Sequence, residues 1–236
     1  MMTIPRGEIH VWTAGLALPP HVIETLAETL APDERARVAR FVFPEHRSRS
    51  IAARGLLRRL LGRYLNRDPG SIRIAYGEHG KPGLEGSELS FNLSHSADLV
   101  VFALSADGPV GIDAERVEAN SDHLEIAKRH FSASEISALE SVPATELPEA
   151  FFRTWTRKEA FVKARGEGLS IALDSFSALG DAFRPKLSVE GWSLVDLVLA
   201  PGYVGAVAFP GSAVVRCFDL RCDELARVAR PRGACP

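Results

Sequence analysis

Cysteine, methionine, tryptophan and tyrosine are all scarce in this 236-residue chain, which has 3 Cys, 2 Met, 3 Trp and 3 Tyr. Cys217, Cys222 and Cys235 are odd in number, late and widely spaced, and match neither a disulfide framework nor a zinc-ligand pattern. A reducing cytoplasm is the expected compartment. No stretch approaches the roughly 20 apolar residues of a membrane-spanning helix. The one run resembling the core of a secretory leader, 11–18, follows Glu8 and His10 and stops at Pro19-Pro20, so it reads as a strand entering a loop. Excess charge of one sign is missing too: 28 Lys plus Arg face 30 Asp plus Glu, a net charge of −2. Nothing therefore draws the whole chain to nucleic acid or to an anionic membrane. Low-complexity segments, GxxxxGK[ST] loops and GxGxxG fingerprints are also missing.

What is present is an ordinary globular mixture, 46% hydrophobic and 25% charged. A chain of this length buries roughly 70% of its unfolded surface and needs no metal for stability, so any metal would be functional. Charge is unevenly spread. Ten arginines lie between Arg35 and Arg67, with Glu45 as the only acid among them. Both a local phosphate-binding surface and a solvated basic helix face fit that run.

The patterning predicts a strand at 8–14, short helices at 21–30 and 32–41, and a long helix at 45–64 whose apolar residues recur every three or four positions. A strand at 72–76, a turn at Gly80-Lys81-Pro82-Gly83 and strands at 89–93, 99–104 and 110–114 follow. Helices are expected at 124–129, 133–139 and 148–165, the last closed by Gly166 and Gly168, then strands at 194–199, 204–209 and 214–218. The fold class is α+β, with two successive units at 1–110 and 111–226 and a flexible tail at 227–236. No self-similarity between the units is visible in the residues.

Four constellations carry chemistry. Asp113 and Glu115 are two apart on a strand and share a face; such paired carboxylates call for a cation, and Mg²⁺ suits oxygen donors. Trp155, Glu159 and Lys163, each four apart, share a helix face in a segment made apolar by Phe151, Phe152, Phe161 and Val162. A buried carboxylate there needs a partner, and a shared metal is one solution. Ser94 and His95 are adjacent on a strand and point to opposite faces, so they form no nucleophile–base pair, though they suit phosphate oxygens. Gly80-Lys81-Pro82 projects a single cation from a turn. Each has a plainer reading as well: a solvated strand end, a surface ion pair or a structural histidine.

Taken in order, Gly80-Lys81-Pro82, Phe91-Asn92-Leu93-Ser94-His95-Ser96, Gly111-Ile112-Asp113-Ala114-Glu115 and the run from Trp155 through Lys163 to Leu169 resemble the 4'-phosphopantetheinyl transferases of the long, surfactin-synthetase-activating type. The likeness runs over 9–176 and loosely into the final strands. It implies two similar α/β halves in pseudo-twofold arrangement, an adenosine and phosphate side and a Mg²⁺ side, with coenzyme A in the cleft between them. It implies transfer of the 4'-phosphopantetheine arm to a serine of an acyl or peptidyl carrier protein, releasing adenosine 3',5'-bisphosphate.

By motif, Asp113, Glu115 and Glu159 become the Mg²⁺ ligands, Lys163 the pyrophosphate contact, Ser94 and His95 holders of coenzyme A phosphates, and Lys81 a nucleotide contact. Arg37, Arg49 and Ser50 fall at the adenosine end. Glu34 stands where relatives often carry a lysine, which shifts that contact to Arg37 or Arg40. The catalytic pair is expected to be Glu159, taking the serine proton, and Lys163, serving the departing phosphate. A Mg²⁺-dependent nucleotide or pyrophosphate hydrolase and a non-catalytic coenzyme A-binding module are the competing readings. The partners expected are coenzyme A and a transient carrier protein, without nucleic acid or membrane, served by a monomer. The amphipathic segment 122–144 is either a carrier-docking face or a helix pair packed on the second sheet.

Overall fold

A computed structural model describes residues 2–119, 122–179, 186–220 and 231–234, with the backbone alone for 169, 186–188 and 231–234. The chain opens with strand β1 (Glu8–Gly15), helices α1 (Pro20–Glu28), α2 (Pro32–Val38) and α3 (Pro44–Leu65), a small hairpin β2 (Ile74–Tyr76) and β3 (Pro82–Leu84), and strands β4 (Ser90–Ser96) and β5 (Leu99–Ser105). It continues with β6 (Gly111–Arg116), α4 (His123–His130), α5 (Ala133–Glu140), α6 (Leu147–Arg165), β7 (Lys186–Val189), β8 (Trp192–Asp196), β9 (Tyr203–Pro210), β10 (Val214–Asp219) and β11 (Pro231–Ala234).

The two larger sheets have the orders β11-β10-β1-β5-β4 and β6-β9-β8-β7. One plan is used twice. An opening strand leads to two short helices and a long one, and then to an antiparallel hairpin whose second strand lies antiparallel to the opener: β5 on β1, and β9 on β6. The α+β class is as expected, and the repetition lies in the pairing order.

Alternation along the strands sorts the core into layers. From β1, Trp12 and Ala14 face α3, where Leu56, Leu57, Leu60 and Leu61 are fully buried. Ile9 and Val11 face the other way and meet Ile112, Ala114, Val195 and Val207 of the second sheet. Beyond that sheet, Ala160, Phe161 and Ala164 of α6 cover Leu194, Ala206 and Ala208. The order is therefore helix, sheet, sheet, helix, and each buried leucine of α3 contributes about 1.5–3 kcal/mol.

Close approach of α6 to β6 depends on Gly111. A Cβ there would lie 2.1 Å from the Ala160 carbonyl oxygen, so only glycine lets the helix settle on the strand. Gly166 ends α6 in the left-handed region at φ 75°, as its sequence position suggests.

The chain-order division needs correction in space. β10 pairs in parallel with β1, and β11 extends the same sheet, so 214–219 belong to the first sheet although they were expected in the second half. Of the tail, 231–234 form β11, while 227–230 and 235–236 lie outside the described residues. Cys217 is disulfide-bonded, which the odd number and wide spacing of the three cysteines did not suggest. No helix among the described residues is long and apolar enough to cross a membrane.

Candidate active site

A cavity of about 830 Å³ opens between the two units. Arg37, Ser50, Arg54, Tyr76, Lys81, Ser94 and His95 line it from the first, and Asp113, Glu115, Trp155, Glu159 and Lys163 from the second. Strand β4 holds the two together with three polar residues on one face. Asn92 Oδ1 accepts the Ile112 N–H at 2.9 Å, Ser96 Oγ accepts the Arg116 N–H at 3.1 Å, and between them Ser94 Oγ donates to Asp113 Oδ1 at 2.7 Å. Asn92 and Ser96 went unassigned in the sequence; their spacing of two on either side of Ser94 was the available signal.

Asp113 is the centre of the site and is only 2% exposed. Its Oδ1 also accepts from Lys163 Nζ at 2.6 Å, and the same ammonium lies 3.1 Å from Ser94 Oγ. Burial lifts Glu159 above its ordinary carboxylate range, helped by the charge of Asp113 and opposed by Lys163. Glu115 is raised chiefly by burial, with a Ser96 hydrogen bond working against it and Asp113 and Glu159 adding to it. His95 is lowered, first by burial and then by the positive charges of Lys163 and Arg54.

The acids are coupled electrostatically, yet among the described residues no group of three His, Cys, Asp or Glu side chains is gathered closely enough to hold a metal by itself. The donor set nevertheless fits Mg²⁺. Asp113 Oδ2 is buried without a hydrogen-bond partner, and Mg²⁺ commonly takes one or two carboxylates and completes its shell with substrate phosphates and water.

Most of the sequence-derived residues meet here, with three adjustments. Arg49 does not line the cavity; its guanidinium pairs with Asp98 at 2.8 Å. Lys81 lines it, but its ammonium is directed at the main-chain carbonyls of Ala164 at 2.9 Å and Val110 at 3.1 Å, and burial brings it down to about 8. Glu34 is buried and bonded to Arg58, while Arg37 takes the cavity wall, its guanidinium 5.3 Å from the Tyr76 ring centre. Arg54 and Tyr76 are lining residues that the sequence did not single out. As for 122–144, Phe131 and Leu139 are buried against Phe151 of α6, with Ile126 and Ile136 on the same cluster, so the segment packs as a helix pair.

Two matched α+β units, one lining the cavity with arginines and the other with acids, give it the charge pattern that a phosphorylated ligand requires. Family comparison makes that class specific. Residues 109–191 match the model of the 4'-phosphopantetheinyl transferase superfamily, and 19–107 match that of the 4'-phosphopantetheinyl transferase N-terminal region. The chain is 41% identical over 215 residues to the 4'-phosphopantetheinyl transferase HetI of Nostoc sp., covering 89% of this chain and 91% of that protein. It is 37% identical over 155 residues to the 4'-phosphopantetheinyl transferase Sfp of Bacillus subtilis, covering 65% and 68% of the two chains. With the 4'-phosphopantetheinyl transferase AcpT of Salmonella typhimurium it shares 37% identity over 179 residues, covering 75% and 86%. The chain belongs to the 4'-phosphopantetheinyl transferase superfamily.

Proposed function

We propose that the protein transfers the 4'-phosphopantetheine arm of coenzyme A to a serine of an acyl or peptidyl carrier protein, releasing adenosine 3',5'-bisphosphate. The observation that carries this reading is the meeting of Asp113, Ser94, Glu159 and Lys163 in one cavity between two units of the same plan. The arginine-bearing first unit takes the adenosine and phosphate side, and the unit beginning at Gly111 takes the acidic side.

In the reaction, the carrier serine oxygen forms a bond to the phosphorus that bears the pantetheine. The bond from that phosphorus to the bridging oxygen breaks, and the bridging oxygen leaves on adenosine 3',5'-bisphosphate. Asp113, Glu115 and Glu159 would hold Mg²⁺. When bound, the ion neutralises and orients the pyrophosphate, which otherwise repels the attacking oxygen. Glu159 accepts the serine proton; burial raises its basicity above that of an exposed carboxylate, which favours that task. Lys163 sits on Asp113 and stabilises charge on the departing phosphate. Ser94 fixes Asp113, and His95 and Arg37 face the remaining phosphates.

One chain supplies both walls, so we read the protein as a monomer working in the cytoplasm without nucleic acid or membrane. Incubation with coenzyme A, Mg²⁺ and an apo carrier protein tests the proposal by the mass of the carrier. Phosphopantetheine gained on the carrier supports it. Free phosphopantetheine with unmodified carrier would instead mark a hydrolase, and coenzyme A bound but unchanged would mark a binding module.

A further inference from the structure

The loop joining α2 to α3 includes Arg40-Phe41-Val42-Phe43 and leaves these side chains outside the core. Phe41 is 36% exposed, Val42 83% and Phe43 65%, so burial within the fold gains little from them. With Tyr76 they make four of the seven large apolar residues that stand exposed among the described residues. Consecutive apolar side chains left in water mark an interaction surface. The loop is also held in shape. Arg47 Nη2 donates to the Phe41 carbonyl at 3.0 Å, and the Arg47 N–H donates to the Phe43 carbonyl at 3.1 Å in the first turn of α3. The His46 ring stands 6.5 Å from the Phe41 ring and 5.6 Å from that of Phe43. The surround is basic: Arg37, Arg40 and Arg47 are exposed, and Glu45 is the only acid from Arg35 to Arg67.

The patch borders the cavity. Arg37, which lines the cavity and stands over the Tyr76 ring, comes four residues before Phe41. Ser50, on the same wall, follows Phe43 by seven residues, about 10 Å along α3. We propose that 41–43 with the flanking arginines form a docking surface for the carrier protein, and that they meet an apolar face of the carrier ringed by acidic residues. The proposal rests on the transfer reading above. Its occupant follows from size and charge. A cavity of about 830 Å³ admits a serine side chain beside the coenzyme but not the domain that bears it. A domain of about 100 residues has a radius of gyration of about 13 Å, so its body lies across the mouth. There the first unit offers an apolar centre with a cationic border, the layout of a protein interface, and acids around apolar residues complement both. A second copy of this chain would set arginines against arginines.

Transfer kinetics with an apo carrier protein as the varied substrate test this on native protein, a Val42→Ser/Phe43→Ser double variant and Arg47→Glu. Both positions of the double variant are exposed, and serine suits position 43, which caps the start of α3, so the fold is expected to hold. The double variant should raise the KM for the carrier by about tenfold or more, the effect of truncating central interface residues, with kcat and the KM for coenzyme A near native. Arg47→Glu should raise the carrier KM too and weaken the salt dependence of kcat/KM. An unchanged carrier KM in the double variant overturns the proposal. So does a rise matched by weaker coenzyme A binding in calorimetry, which marks a distorted cavity. Native protein that pellets with phosphatidylserine vesicles, or dimerises, and loses that behaviour in the double variant while the carrier KM holds, assigns the patch to a membrane or to self-association instead. If native protein modifies no carrier, the transfer reading fails and the proposal with it; if it does and the carrier KM ignores the patch, only the docking surface fails.

Discussion

At the residue scale, the proposed proton transfer rests on Glu159. Its proton affinity is raised by burial, with the charge of Asp113 adding to it, so it is neutralised at a higher pH than an exposed glutamate. A protonated Glu159 neither takes the serine proton nor holds a cation. The rate should therefore fall on the acid side, on a limb displaced upward from that of an exposed glutamate. Glu159→Gln should cut the transfer rate by about a hundredfold or more and abolish the limb, as read in the pH dependence of transfer. Lys158 gives a stability prediction. It is fully buried, 2.8 Å from Glu135 Oε2, and its ammonium also donates to the Leu173 and Phe176 carbonyls. Lys158→Met takes the counter-charge from the buried Glu135 carboxylate, which then keeps only its hydrogen bonds from Ser132 and the Ala178 N–H, and should cost about 3–5 kcal/mol in denaturant titration. The acids and Lys163 were legible because strand and helix periods place them on shared faces. Arg54 was not: ten arginines between 35 and 67 give no sign of which one turns inward. Only packing showed that Arg49 goes to Asp98 and Arg54 to the cavity.

At the scale of elements, α6 and β6 are the pair that matters, since they carry Glu159 and Lys163 on one side and Asp113 and Glu115 on the other. Gly111 sets their distance. Gly111→Ala would drive its methyl into the helix backbone, so a loss of about 1–3 kcal/mol or more is expected, and transfer should fall further than folding alone explains because the carboxylates are pushed apart. Thermal unfolding and the transfer rate at a temperature where the variant is folded separate the two effects. The long helices and the buried strand β5 were legible from period and run length, because each buries most of its surface. Strand β3 was not, since Pro82-Gly83-Leu84 has the composition of a turn and becomes a strand only by pairing with β2. The apolar residues of α4 and α5 suggested a carrier-docking face or a helix pair packed on the second sheet, and their buried side chains pack on Phe151 of α6 instead of on that sheet.

On the scale of the whole molecule, the α+β class followed from element order, whereas the repeated plan did not. It resides in which strand pairs with which, and unrelated residues satisfy the same pairing. The last strands show the same limit: β10 follows β9 in the chain yet joins β1 in space, because its residues Val215 and Cys217 complete the layer between the sheets. The near-zero net charge conceals the division that matters, a basic wall facing an acidic one across the cavity. The whole account stands on a single transfer reaction, which intact-mass measurement of an apo carrier protein after incubation with the enzyme, coenzyme A and Mg²⁺ reads most directly. It predicts a carrier heavier by one phosphopantetheine on its serine, with adenosine 3',5'-bisphosphate released in equal amount. A carrier of unchanged mass beside free phosphopantetheine in solution would contradict it.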